Sequence, residues 1–282
     1  MRVQMIDMGL TALPPAFPAD AVWSLTPWLL TAMSVGLGLL AFIFAAVILS
    51  RTKDFTPLLL CLGGALAALV AEPLLGHLDL LAWGEGYPGP TFSAFGANIP
   101  FFVPPVYAFY LGMGGYLGSR LFQRGLTIRG VWTFWAILIA TDMIFQLIAV
   151  NLKAYVYFGS QPISILHLPL MGSFKNATAY LLIGLLVWAL APRLTGASRA
   201  LLVLVPITAY LGGALITAWP WYIAINSDMT GPMATVVAAL TFVLCGLATQ
   251  GVALTVSTDS PWRDSPDPHV RDAHAKRATA ER

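Results

Sequence analysis

Apolar runs of membrane-spanning length, separated by short polar breaks, repeat along almost the whole chain. Seven can be marked, over residues 23–50, 55–75, 99–121, 131–152, 177–191, 200–223 and 231–256. Most meet the roughly 20 residues that a helix needs to cross the hydrocarbon of a bilayer. The fifth is the shortest, and the residues before it extend it. Between the fourth and fifth, the stretch YFGSQPISILHLPLMGSFKN is broken by glycine and proline. It reads as a re-entrant or surface segment rather than another crossing. Residues 1–22 lack the apolar core of roughly 7–15 residues that marks a cleavable signal. The pattern predicts an all-α, polytopic membrane protein: a seven-transmembrane-helix bundle over 23–258, an extracytoplasmic segment 1–22 and a disordered cytoplasmic tail 259–282.

Composition agrees. Of 282 residues, 58% are hydrophobic and 10% charged, where soluble domains carry about 25% charged residues. No stretch is left for a separate soluble domain. Cys61 and Cys245 both sit in apolar runs and read as small core hydrophobes, with no disulfide framework or metal spacing.

Where the charges lie orients the chain. With the amino terminus outside, the inner connections and tail collect twelve of the fifteen Lys and Arg residues, leaving Arg2, Lys153 and Lys175 outside. The positive-inside rule selects that orientation and predicts a multi-pass protein of the plasma membrane.

Eleven of the thirteen acids fall in loops or tails; the exceptions are Glu72 and Asp142. An intramembrane carboxylate costs at least ~2.5–3.5 kcal/mol, so it should face the bundle interior and mark a functional site. Gln146 lies one turn beyond Asp142 on the same face, with Asn151 and Tyr155 following at roughly helical intervals. The bland alternatives are a polar clasp between helices for Asp142 and interfacial solvation for Glu72. Near the same level fall His77, Asp79, Trp83, Glu85, Tyr87, Asn98, Tyr107, Tyr157, His167, Lys175, Asn176, Trp219 and Trp221. An interfacial aromatic belt accounts for many of the rings. Pro104 and Pro105 are expected to interrupt the third span early.

Two desolvated carboxyls can hold a proton at neutral pH and donate it, and aromatic faces can stabilise the resulting cation. Neither acid-bearing span holds a Lys or Arg to neutralise its carboxyl. This outfit suits acid-initiated cyclisation, isomerisation or dehydration of a lipophilic substrate. Glu72 and Asp142 are the expected catalytic pair, with Asp142 as proton donor. Tyr107, Gln146, Asn151, Tyr155, Tyr157, Asn98, Trp219 and Trp221 are expected to contact substrate, and His77, Asp79 and His167 to relay protons. No metal or cofactor is expected, and the partners are the lipid bilayer and a hydrophobic small molecule, with no nucleic acid. A retinal protein with its Schiff base in the last span is excluded, because 231–256 contains no lysine. No internal repeat supports a transporter, and no nucleotide-binding or hydrolase motif is present. A non-enzymatic lipid or pigment binder, or a small transporter, is the alternative of another class.

Three motifs resemble the avermectin-type spirocyclase family of actinobacterial membrane proteins, over about residues 70–185. They are Glu72-Pro73 late in the second span, PPVYAFYLG from Pro104 to Gly112, and Asp142 followed by Tyr155, Tyr157 and Gly159. The chain departs from that pattern at Glu72, where the family often has Asp, and at Gln146, where it often has a second acid. The resemblance implies cyclisation or dehydration of a hydrophobic polyketide. Membrane terpene cyclases share the logic of intramembrane acids that protonate a polyene.

Overall fold

A computed structural model describes residues 26–261 except Glu85 and Gly96. The segment 1–22, Glu85 and the tail beyond Pro261 therefore lie outside the described residues. Among the described residues six helices are long and apolar enough to cross a membrane, and the protein is a multi-pass membrane protein. Large apolar side chains such as Trp28, Leu29, Ile144, Ile216, Val236 and Leu247 are exposed along the flanks. A water-soluble surface does not carry such patches at this scale.

Helices α1 (Thr26–Thr52) and α2 (Thr56–Leu78) form a tight hairpin. Lys53 takes the left-handed conformation in the turn, φ 59°. Asp54 Oδ1 then accepts from the Thr56 amide at 3.0 Å. Pro57, in the first turn of α2, uses a position whose amide needs no helical partner.

The third helical run starts at Val103, later than residue 99, because residues 97–100 pair in a strand. Pro104 and Pro105 occupy its first turn, so they begin the helix and do not interrupt it. Its irregularity lies further on. Helix α3 (Val103–Tyr107) passes into a π segment (Ala108–Met113) and then into α4 (Gly114–Gln123). Helix α5 (Ile128–Asn151) is capped by the Thr127 hydroxyl, which accepts from the Gly130 amide at 3.0 Å. Helix α6 runs Leu170–Leu190, so the last third of the broken stretch belongs to the helix. Gly172, Ser173 and Lys175 are all buried there. A 3₁₀ segment (Gly196–Val203) leads into α7 (Leu204–Ile225), and α8 is Gly231–Val256.

Glycines set the closest helix contacts. A Cβ on Gly64 would stand 2.6 Å from the Tyr107 carbonyl oxygen, and one on Gly112 would stand 2.5 Å from Cys61 Cα. Backbone therefore meets backbone where α2 crosses the π segment. That approach sets Tyr107 beside Glu72.

One end of the bundle is closed by three two-stranded ribbons. Strand β1 (Leu81–Trp83) pairs antiparallel with β4 (Tyr155–Tyr157), β2 (Thr91–Ala94) with β3 (Ala97–Pro100), and β5 (Ser164–Ile165) with β6 (Leu168–Pro169). At the opposite end the start of the expected disordered tail is docked. The Thr258 amide donates to the Leu126 carbonyl at 2.9 Å, and Asp259 Oδ1 accepts from the Ile128 amide at 2.8 Å. The ordered fold thus runs past residue 258, because those groups satisfy the turn that opens α5.

Candidate functional site

Beneath the ribbons lies a cavity of ≈ 100 Å³, room for several waters. Glu72, Asp79, Asp142 and Lys175 all line it, among aromatic and aliphatic side chains from α1 to α7. Glu72 and Asp142 are 7% and 4% exposed. The two acids of the apolar spans therefore open onto one chamber, and Glu72 is buried inside it and not on the exposed surface.

Each acid is held by donors. Glu72 Oε1 accepts from the Trp83 indole at 3.0 Å, and its Oε2 accepts a short bond from the Tyr107 hydroxyl. Asp142 accepts from Asn176 Nδ2 at 3.2 Å and, through a short bond, from Gln146 Nε2. The orientation of Gln146 is fixed by its other contacts: its Oε1 accepts from Tyr157 at 2.7 Å, with the Tyr155 hydroxyl at 3.5 Å, and its Nε2 also donates to Ser173 at 3.2 Å. Asn176 is fixed likewise, since its Oδ1 accepts from the Tyr210 hydroxyl at 3.1 Å.

These contacts form one chain from Glu72 through Tyr107, Tyr210 and Asn176 to Asp142. The Tyr107–Tyr210 link is its longest step, 3.5 Å between hydroxyl oxygens. Counting protons explains the length. Tyr107 spends its proton on Glu72 and Tyr210 spends its own on Asn176, so neither is left for the bond between them. A proton on Glu72 would free Tyr107 to donate to Tyr210 and complete the chain.

A second polar pair borders the same chamber. Lys175 Nζ donates to Asp79 Oδ2 at 2.6 Å, with both side chains buried. The ammonium stands 5.5 Å from the Trp221 ring and 5.9 Å from that of Tyr222. Asp79 Oδ1 and the neighbouring Tyr222 hydroxyl are buried, and neither completes a hydrogen bond of normal geometry. Burial pushes the Asp79 carboxyl above the ordinary carboxylate range, while the ammonium beside it pulls the other way. Burial also holds the Tyr155 and Tyr157 phenols well above their ordinary values, so both remain proton donors at neutral pH.

Several expected site residues are elsewhere. Asn98 is exposed and accepts from Ser93 at 2.6 Å within the β2–β3 ribbon. Asn151 is exposed and turns back to the Leu147 carbonyl at 2.8 Å, because it ends α5 above the chamber. Trp219 is 48% exposed, on the opposite face of α7 from the buried Trp221. Trp221 backs Lys175 from outside the cavity lining and donates to Gln161 Oε1 at 3.2 Å. His77 and His167 are both exposed and do not line the chamber. Of the three expected relay residues, only Asp79 does, and it is paired with Lys175.

Neither acid-bearing span holds a Lys or Arg, but Lys175 of another helix enters the chamber that the two acids line. Lys175 was expected in an outer connection, but α6 begins at Leu170 and carries it inward. Tyr110, Tyr180 and Tyr210 also line the chamber. Asn176 and Tyr180, one turn apart in an apolar run, and Tyr210 midway along the sixth run are the signals that point to them. Among the described residues no cluster of three His, Cys, Asp or Glu side chains is disposed to hold a metal ion. Comparison with protein-family models, with curated proteins and with solved structures finds no match to this chain.

Proposed function

We propose that the protein is a plasma-membrane enzyme of acid chemistry on a lipophilic polyketide or isoprenoid, acting as a cyclase, isomerase or dehydratase. The carrying observation is that Glu72 and Asp142 line one aromatic-walled cavity and are joined by a hydrogen-bonded chain of two tyrosines and an asparagine. The roles divide differently from the expectation that Asp142 is the acid. Both oxygens of Asp142 accept from amide N–H groups, of Gln146 and Asn176, which can only donate and so hold the carboxyl as an acceptor. Glu72 is the member whose protonation completes the chain, so it is the better proton donor. In this reading Glu72 protonates an alkene, carbonyl or leaving hydroxyl. Tyrosine faces stabilise the cation, and Asp142 removes a proton to form the product alkene. One proton given and one taken balance the step.

The resemblance of Glu72-Pro73, PPVYAFYLG and the Asp142-to-Gly159 motif to the avermectin-type spirocyclases supports the same chemistry. In this reading helical residues 103–123 would form the seventh crossing, and the distribution of basic residues supports an amino terminus outside. The ribbon-capped chamber then lies toward the outer leaflet.

A second reading, a non-enzymatic lipid or pigment binder, draws on one observation: both carboxyls already have all their oxygens engaged. One experiment separates the two. Wild-type protein and Glu72→Gln are expressed in D₂O medium, purified, and their co-purifying lipids identified by mass spectrometry. Acid catalysis predicts that the variant retains an unconverted precursor, isomeric with the wild-type product or heavier by one water. Where the step begins by protonating an alkene, the wild-type product also carries one solvent-derived deuterium on carbon that the precursor lacks; a start at a carbonyl or a leaving hydroxyl adds none. An identical compound of identical isotopic composition on both proteins would favour the binder.

A further inference from the structure

At the end of the bundle opposite the ribbons lies a polar crevice of ≈ 280 Å³. Its walls come from separate parts of the chain: Lys53 in the α1–α2 turn, Arg120 near the end of α4, and Arg199 in the 3₁₀ segment before α7. A general excess of basic residues in loops does not require three of them to converge. These three do converge, and among the described residues none meets a carboxylate at ion-pair distance. The single acid in the crevice, Asp54, spends Oδ1 on the Thr56 amide.

Both guanidiniums are held by neutral acceptors. Arg120 Nη1 donates to Gln123 Oε1 at 2.7 Å, and Arg199 Nε donates to the Leu194 carbonyl at 3.2 Å. A guanidinium has five N–H donors, so most remain for another acceptor while the anchoring bond fixes the fork. Three cations against one carboxylate leave an excess of positive charge around a polar hollow at the ends of apolar helices, and that suits one chemistry. A phosphate oxyanion takes bidentate bonds from arginine and a point charge from lysine.

We propose that this crevice is an anion site for a phosphate group, with the headgroup of an acidic phospholipid as its ligand in the bilayer. Basic pockets between helix ends are suited to such headgroups. The inference is independent of the chemistry assigned to the carboxyl chamber.

The test uses the full chain in nanodiscs. Thermal unfolding is measured in phosphatidylcholine alone, with phosphatidylglycerol added, and with inorganic phosphate added. Phosphatidylglycerol should raise the Tm of the wild type. Its apparent affinity should fall about thirtyfold in the Arg120→Gln/Arg199→Gln double variant, from ~1 kcal/mol per basic residue. Lys53→Gln, at an exposed turn, should lose part of the effect even if the double variant does not fold. A rise with inorganic phosphate that the same substitutions abolish keeps the anion site and assigns it a soluble ligand. No rise with either anion, or the same rise in wild type and Lys53→Gln, would overturn the proposal.

Discussion

Lys175 of α6 closes on Asp79 at the end of α2, Nζ to Oδ2 2.6 Å, with both side chains buried beside the carboxyl chamber. The pair ties together two of the most deeply packed helices at the point where the ribbons begin. It also puts a fixed positive charge within a chamber lined by three acids.

Removing one partner leaves a buried charge uncompensated, at a cost of about 3–5 kcal/mol. Lys175→Met and Asp79→Asn should each lower the Tm strongly, and the double variant should recover much of the loss. Because burial raises Asp79, its protonated form favours the fold. That stabilisation is complete below the unfolded value and lost as pH rises through the folded one. Without the opposing ammonium the loss should steepen. Lys175→Met should therefore lose more Tm between pH 4 and pH 8 than the double variant, which cannot titrate there. Melting curves of detergent-solubilised protein across that range check both points.

Tyr210→Phe should cut the chain between the acids while keeping its ring. The half-buried Asn176 amide oxygen then loses its donor, an effect of about 0.5–1.5 kcal/mol. Conversion of the co-purified substrate should fall at least tenfold. Infrared difference spectra should show the Glu72 carboxyl band shifted in Tyr107→Phe. Unchanged conversion in Tyr210→Phe would remove the chain from the mechanism.

Gly64→Ala forces a methyl against the Tyr107 carbonyl, and Gly112→Ala forces one against Cys61. Each should destabilise the bundle by about 1–3 kcal/mol through overpacking. Gly212→Ala, where no atom lies within 4 Å, should be neutral or better. A thermal-shift comparison of the three variants decides.

Asp259→Ala removes the acceptor of the first α5 amide and should cost about 0.5–2 kcal/mol. Ending the chain after Thr258 should cost as much, whereas ending it after Pro261 should leave accumulation in the membrane unchanged. Immunoblots of membrane fractions would report the difference.

A reporter active only in the cytoplasm should give signal when fused after Arg282 and none when fused at Arg2. The reverse pattern would invert the topology and put the ribbon-capped chamber on the inner side.

Hydropathy identified the helices because crossing a bilayer imposes length and apolarity directly on each segment. Helix starts were less legible. Gly172, Ser173, Lys175 and Asn176 looked like a connection because polar and small residues are unfavourable in lipid, yet all sit in α6 facing protein. Glu72, Asp142, Tyr107, Gln146, Tyr155 and Tyr157 stood out as polar groups in or beside apolar spans, and the fold brings them together. Tyr210 and Lys175 enter the same chamber from other helices, and that pairing is tertiary. Asn98, Asn151, Trp219, His77 and His167 share the right depth but face outward, and depth alone carries no direction.

Helix α1 contributes Leu30 and Ser34 to the chamber wall while Trp28, Leu29 and Met33 stand exposed on its outer side. On that flank a single helix separates the carboxyls from acyl chains. A guest dissolved in the bilayer need never become hydrated on its way in. In the proposed acid chemistry its supply would be governed by how readily α1 yields and by how fluid the surrounding lipid is, so turnover would follow membrane composition and growth temperature more closely than any aqueous concentration.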